Sequence, residues 1–203
     1  MNISELEAVN LMRGAVGKAP VSSLDIANPD VIAARQRLKN TSLEVQAVSW
    51  WFNTEKTVTL VPNTEGELII PGRALEVRTH DPFAYLTLRG NRLYNPVKNT
   101  YTFTASVEVD MVVYLDYTDL PFVAANFIQY DAARKFQADF DGDPIRVQQL
   151  RQDAQMARME LKRSEQRNRR TNMLLGAGPV ALNAGIRPSS AFSGSRNPFY
   201  PGG

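Results

Sequence analysis

The 203-residue chain contains no cysteine, a single histidine and only two tryptophans, which are neighbours. The lack of cysteine removes disulfides, thiolate metal sites and cysteine nucleophiles together. With His80 alone, any Ser-His-Asp, zinc or imidazole acid/base scheme would have to run through one residue. The stretch "THDP" sets it in a loop with no companion motif, so a surface histidine is expected. The longest apolar runs, Met111 to Leu115 and Pro121 to Ile128, fall well short of the ~20 residues of a membrane helix. A soluble chain without membrane contact is expected. The first residues, "MNISELE", lack a basic segment followed by an apolar stretch, so no secretory signal is predicted.

Other chemical signatures are equally thin. Asp139, Asp141 and Asp143 in "DFDGDP" resemble a calcium loop, but no glutamate stands at the twelfth position and Pro144 follows at once. A helix-breaking turn with capping aspartates fits better. Gly14 with Gly17, and Gly176 with Gly178, are too sparse for a phosphate loop. Carboxylate pairs of the glycosidase kind can be picked from any 21 acids and carry no weight. No catalytic, cofactor or metal residue is nominated.

What is present points to a folded body with an unusual end. The apolar fraction is 43% and the charged fraction 22%, both ordinary for a globular chain. The net charge of +2 hides an asymmetry. From Pro144 onward ten Lys/Arg face three acids, a surplus of seven positive charges that leaves residues 1–143 at −5.

Ser4 and Glu7 form a capping-box pattern ahead of Leu6, Val9, Met12 and Val16, predicting a helix over 5–16 that stops at Gly17. Asn28-Pro29 opens a second, over 29–50, with the stripe Val31, Ala34, Leu38, Val45, Val48 and Phe52, interrupted by Ser42. From Thr57 the period becomes two. Strands are expected around Val58, in "ELIIP", at Ala74 to Arg78, in a hairpin turning at Gly90-Asn91, and in "YTFTASVEVDMVVYLDY", making one sheet over about 56–117. Thr118-Asp119 is expected to cap a helix over 120–140, apolar on two sides. Asp143-Pro144 begins a last helix over 144–170, whose apolar stripe ends at Leu161. At 1.5 Å per residue it would be ~40 Å long, so its second half would project from a domain of this size. Residues 172–203, rich in Gly, Pro, Ser and Asn, read as a flexible or partner-ordered tail.

The fold class that follows is α+β: an antiparallel helical bundle (1–55 and 118–171) with an inserted antiparallel β-sheet lobe (56–117) and a C-terminal tail. Two features stand out. Lys162, Arg163, Arg167, Arg169 and Arg170 lie in "KRSEQRNRR" without interleaved aromatics. The run is either a solvated helical face or an electrostatic contact for an acidic protein or DNA phosphates, not for base reading. Trp50, Trp51 and Phe52 mark the passage from body to lobe. Adjacent helical positions are ~100° apart, so one indole is expected beneath the bundle and the other against the sheet or a neighbouring subunit.

The ordered series "EAVNLMRGAVGKAPVSSL", "EVQAVSWWFNTE", "LVPNTEGELIIP", "LRGNRLYN", "NTYTF" and "DLPFVAANFIQYDAARKFQ" resembles the tail tubular protein A family of short-tailed bacteriophages, over about residues 5–150. The resemblance implies a non-enzymatic virion protein, assembled in the host cytoplasm into a tail adaptor. Twelve copies would form a ring joining the portal to the nozzle of tail tubular protein B, help retain packaged DNA, and provide part of the tail-fibre attachment surface. Under it, the basic end of the last helix would face the portal, and the β-lobe would point outward or towards nozzle and fibres. Two other readings compete: a DNA-binding channel or completion protein working through the basic helix, and, with less support, a polysaccharide hydrolase of the tail.

Overall fold

A computed structural model describes residues 3–25, 27–79 and 85–176, with side chains as far as Arg169. His80 and residues 177–203 of the expected tail lie outside the described residues. The chain up to Gln166 forms one compact unit, and residues from Arg167 belong to a second.

Helix α1, Glu5–Ala15, starts from a complete capping box: the Glu7 N–H donates to Ser4 Oγ at 3.1 Å and the Ser4 N–H to Glu7 Oε2 at 2.7 Å. Helix α2, Pro29–Gln46, is capped by Asn28, whose side-chain oxygen accepts from the Asp30 N–H at 2.9 Å. It ends four residues before the expected 50, so Val48, placed on the apolar stripe by its spacing, is 57% exposed. Helix α3, Phe122–Phe140, is not capped by Thr118 or Asp119. Tyr117–Asp119 instead form a 3-10 turn, and Pro121 occupies the N-cap without a side-chain cap. Asp143 does cap the start of α4, Pro144–Gly176, by accepting from the Ile145 N–H at 2.9 Å. That helix runs past the predicted 170 through "TNMLLG", where Met173, Leu174 and Leu175 are good helix formers and Gly176 is a natural stop.

The four helices contribute to one apolar cluster, with Val9 and Met12 from α1, Leu38 from α2, Ile128 and Phe136 from α3, and Leu150 and Leu161 from α4. Alanines 124, 125, 132 and 133 of α3 are all buried in it, which lets neighbouring backbones approach closely. The second apolar side of α3 is present as well: Val123, Phe127 and Tyr130 are partly buried against the same cluster. Phe140, at the last position of α3, remains 48% exposed; it stacks on Phe136 at 4.4 Å and lies under the Lys18 ammonium. Along α4, Leu150, Ala154, Ala157 and Leu161 are buried, and Lys162 and Arg163 are exposed.

The strands form two sheets where one was expected. Strands β1 (Thr54–Leu60), β2 (Ala74–Thr79) and β5 (Val107–Val113) make an antiparallel sheet in the order β1-β5-β2. Strands β3 (Thr87–Arg89) and β4 (Arg92–Tyr94) pair separately around a turn with Gly90 at φ 62°. "ELIIP" is not a strand. Its bridges are isolated and divided between Thr102, opposite Glu67, and Arg92, opposite Ile69, so no continuous ladder forms. Its apolar residues Leu68 and Ile70 are buried all the same, and join Leu93, Val109, Met111 and Val113 in a second apolar cluster.

Since Leu161 is the last fully buried position of the α4 stripe, Leu161→Ala should cost about 2–4 kcal/mol. Lys162→Ala, one residue on and exposed, should cost less than about 0.5 kcal/mol. Urea denaturation of the two variants measures the contrast, and equal losses would mean that the stripe does not end there.

Candidate functional site

A helix leaves its last four carbonyls without intrahelical donors, and α2 has no basic residue in its last turn to meet them. The residues that follow meet them with side chains. Trp50 Nε1 donates to the Val45 carbonyl at 2.7 Å, and Asn53 Nδ2 donates to the Gln46 carbonyl at 2.7 Å. The turn closes on itself: Asn53 Oδ1 accepts from the Trp50 N–H at 3.0 Å, and the Thr54 hydroxyl donates to the Trp50 carbonyl at 2.6 Å. Asn53 then passes the chain into the sheet, since its carbonyl accepts from the N–H of Val113, the last residue of β5, at 2.9 Å.

Gln46 completes the junction. Fully buried, its amide acts as an extra peptide group for the returning chain. Oε1 accepts from the Leu115 N–H at 2.8 Å, while Nε2 donates to the Leu115 carbonyl at 2.9 Å and to Ser42 Oγ at 2.9 Å. The chain therefore leaves the helices at Asn53 and returns at Leu115 side by side. Leu115 packs against both apolar clusters.

Trp50, Trp51 and Phe52 are all half-buried against the helical cluster. Trp50 and Phe52 are parallel with centroids 6.4 Å apart, and Trp51 meets Phe52 edge-on at 5.0 Å. Both indoles thus face the same cluster. The ~100° separation of helical neighbours does not govern them, because α2 has already ended. The backbone N–H of Trp51 donates to Glu165 Oε2 at 3.0 Å, tying the turn to α4.

The basic run is divided. Lys162 and Arg163 belong to the first compact unit, with Arg163 at 3.5 Å from Glu160. Arg167 and Arg169 belong to the second and are exposed. The Arg170 side chain lies outside the described residues.

Sequence reading missed a different group of cations. An open groove of about 730 Å3 between α3 and α4 is lined by Arg134, Lys135, Arg151 and Arg158. Its acid, Asp131, is occupied: Arg134 lies 2.8 Å and Lys135 3.0 Å away. Burial pushes the Asp131 carboxyl up, but hydrogen bonds from Arg134 and Lys135, with their charges, outweigh this and hold it below the ordinary 3.8. The signal was there to find, since Arg151 and Arg158 are seven apart and flank the apolar stripe at Ala154 and Leu161.

Among the described residues no His, Cys, Asp or Glu group could hold a metal ion. Nor is any described helix long and apolar enough to cross a membrane.

Comparison with known proteins places this arrangement. The family described as tail tubular protein matches residues 6–171 of the chain. The chain belongs to the tail tubular protein family. Tail tubular protein A of Klebsiella phage KP34 is 29% identical over 168 residues, which cover 82% of this chain and 89% of that protein. The tail tubular chain is thus a structural component of a bacteriophage tail, as the motif series implied. The matched span takes in the junction, both sheets and the four helices up to Thr171.

Removing the Gln46 amide should separate the two clusters energetically. Gln46→Ala leaves the Leu115 N–H and carbonyl unpaired and should cost about 2–4 kcal/mol. Gln46→Glu tests the same bonds through pH, because a neutral carboxylic acid can both donate and accept where the amide does. Burial raises the folded pKa above the unfolded ~4.3, so the variant comes closest to the parent below that value and falls behind as pH rises. Urea midpoints between pH 4 and 8 read the effect, and a pH-independent difference would contradict it.

Trp50 should act through its cap as well as its area. Trp50→Phe, which keeps a ring and loses the N–H to Val45, should cost about 1 kcal/mol. Trp50→Ala should cost about 3 kcal/mol, measured by chemical denaturation.

Proposed function

We propose that the protein is the adaptor ring of a short phage tail, linking the portal to the nozzle of tail tubular protein B. Family membership over residues 6–171 carries this reading. As the motif resemblance implies, about twelve copies close the ring, help retain packaged DNA, and supply part of the surface on which tail fibres attach. The division of labour follows the sequence. A helical body (1–55 and 118–171) builds the ring, an inserted lobe (56–117) faces outward or towards nozzle and fibres, and the tail (172–203) reaches the portal.

The physical design of the junction supports such a role. Ring closure repeats any error in subunit shape at every interface, so a lobe held at a fixed angle by buried hydrogen bonds suits a connector better than a hinged one. Trp50, Trp51 and Phe52 serve here as the anchor of that angle. Lys162, Arg163, Arg167, Arg169 and Arg170 are proposed to face the portal or the DNA passing through the channel, where a row of cations attracts phosphates without reading bases.

Two measurements test this. Electron micrographs of tails should show the chain as a closed ring between portal and nozzle; its absence from that position would remove the adaptor role. Deleting residues 172–203 should leave the melting transition in place and weaken binding to purified portal by about tenfold or more. Unchanged portal binding would take the tail out of that interface.

A further inference from the structure

We propose that the groove between α3 and α4 is the socket of a head-to-tail contact between copies of this chain, and that it receives the outer face of the three-stranded sheet of the next copy. The proposal rests on the ring reading and names its interface.

The two surfaces carry opposite net charge. The groove is lined by Arg134, Lys135, Arg151 and Arg158 and by one acid, Asp131; Lys135 pairs with it and also with Glu44 of α2, beside the groove. With both acids counted, the surplus is two positive charges. Arg151 and Arg158 are exposed and have no hydrogen-bond or ion-pair partner among the described residues. On the sheet, strand alternation puts Glu108 and Asp110 on the side of β5 opposite the buried Val109 and Met111. The register sets Thr59 across from Glu108 and Arg78 across from Asp110, and Glu76 lies two residues along from Arg78. Three carboxylates therefore share that face with Arg78 and with Lys56, which the bulge between Glu55 and Val58 sets across from Asp110, leaving a surplus of one negative charge. Glu108 is exposed and likewise has no ion-pair partner among the described residues.

Other occupants fit less well. The chain's own residues 177–203 contain Arg187 and Arg196 and no acid, so they would be repelled. A nucleic-acid backbone would meet Asp131 and Glu44 along with the cations, and half the groove's positive charge is already paired. A two-fold pairing of grooves would set cation against cation. Opposite surfaces of one chain, met head to tail, avoid that.

The absence of native cysteine makes the test specific. Full-length chain carrying both Thr59→Cys and Gln155→Cys would be supplied to a phage lacking its own copy, and the assembled tails oxidised. Thr59 is on the sheet face and Gln155 lines the groove. A ladder of covalent multimers is expected from the double variant and none from either single one. Tails that hold a normal amount of the chain but give no ladder would overturn the socket and leave the ring standing. Chain found only as monomers in tails would end both. In parallel, Arg151→Glu with Arg158→Glu should lower incorporation into tails by more than about tenfold with an unchanged melting temperature, and adding Glu108→Lys should recover part of it. Normal incorporation together with lost, salt-dependent DNA retention would make the groove a phosphate site and reject the proposal.

Discussion

The two hydrogen bonds between the Gln46 amide and the Leu115 peptide group hold the rest of the structure in register. A buried amide is costly unless all its hydrogen-bonding groups are met. Here they are met by Ser42 and by Leu115, which among the described residues is the one that packs against both apolar clusters. An apolar contact alone would let the sheet region slide or tilt against the helices, because dispersion is nearly indifferent to direction. Paired donors and acceptors at 2.8 and 2.9 Å are not indifferent. Gln46 bonds Ser42 one turn back, so the helix end, the chain returning from β5 and the turn after the helix form one polar unit inside an apolar surround.

This arrangement explains why α2 stops where it does. Propensity does not end it, since Ala47 and Val48 could both continue a helix. It ends because the carbonyls of Val45 and Gln46 find better partners in Trp50 and Asn53 than further helical N–H groups would provide. One of the adjacent tryptophans follows from the same need. Only Trp50 supplies an indole N–H to a carbonyl at the helix end; the Trp51 backbone N–H, which any residue but proline could provide, bonds Glu165 of α4. Trp51 itself packs edge-on against Phe52.

Much of the architecture was legible in the sequence because it depends on local signals. Ser4 with Glu7, Asn28 with Pro29, and Asp143 with Pro144 each set a helix start by short-range bonds that a reader of residues can count. The stripe ending at Leu161 was equally plain. What could not be read were features decided at long range. Ser42 interrupts an apolar stripe and Gln46 carries no local signal, since the Gln46 amide finds its main partner, Leu115, 69 residues away. "ELIIP" reads as a short strand, yet its backbone partners are divided between Arg92 and Thr102, which no local pattern records. The basic run at 162–170 is dense along the chain, whereas Arg151 and Arg158 join Arg134 and Lys135 only through the packing of α4 beside α3.

The distribution of charge gives the last constraint. A chain with −5 in its first 143 residues and +7 in the remainder can set acidic surface against basic surface between copies; a two-fold contact would use both such pairs at once and stop at two copies. The chain is also suited to a heterologous contact, in which different patches meet and the rotation between neighbours can close a ring. Opposite charges also steer encounter at long range, and salt weakens that steering over about 10 Å. The geometry within one subunit must then be fixed beforehand, because two charged surfaces on separate clusters can both find their partners only when the angle between those clusters is the same in every copy. The buried Gln46 amide and the Trp50-Asn53 turn hold the two clusters together by fixed hydrogen bonds, so in the proposed ring the polar junction inside the subunit and the charged surfaces outside it would serve the same assembly.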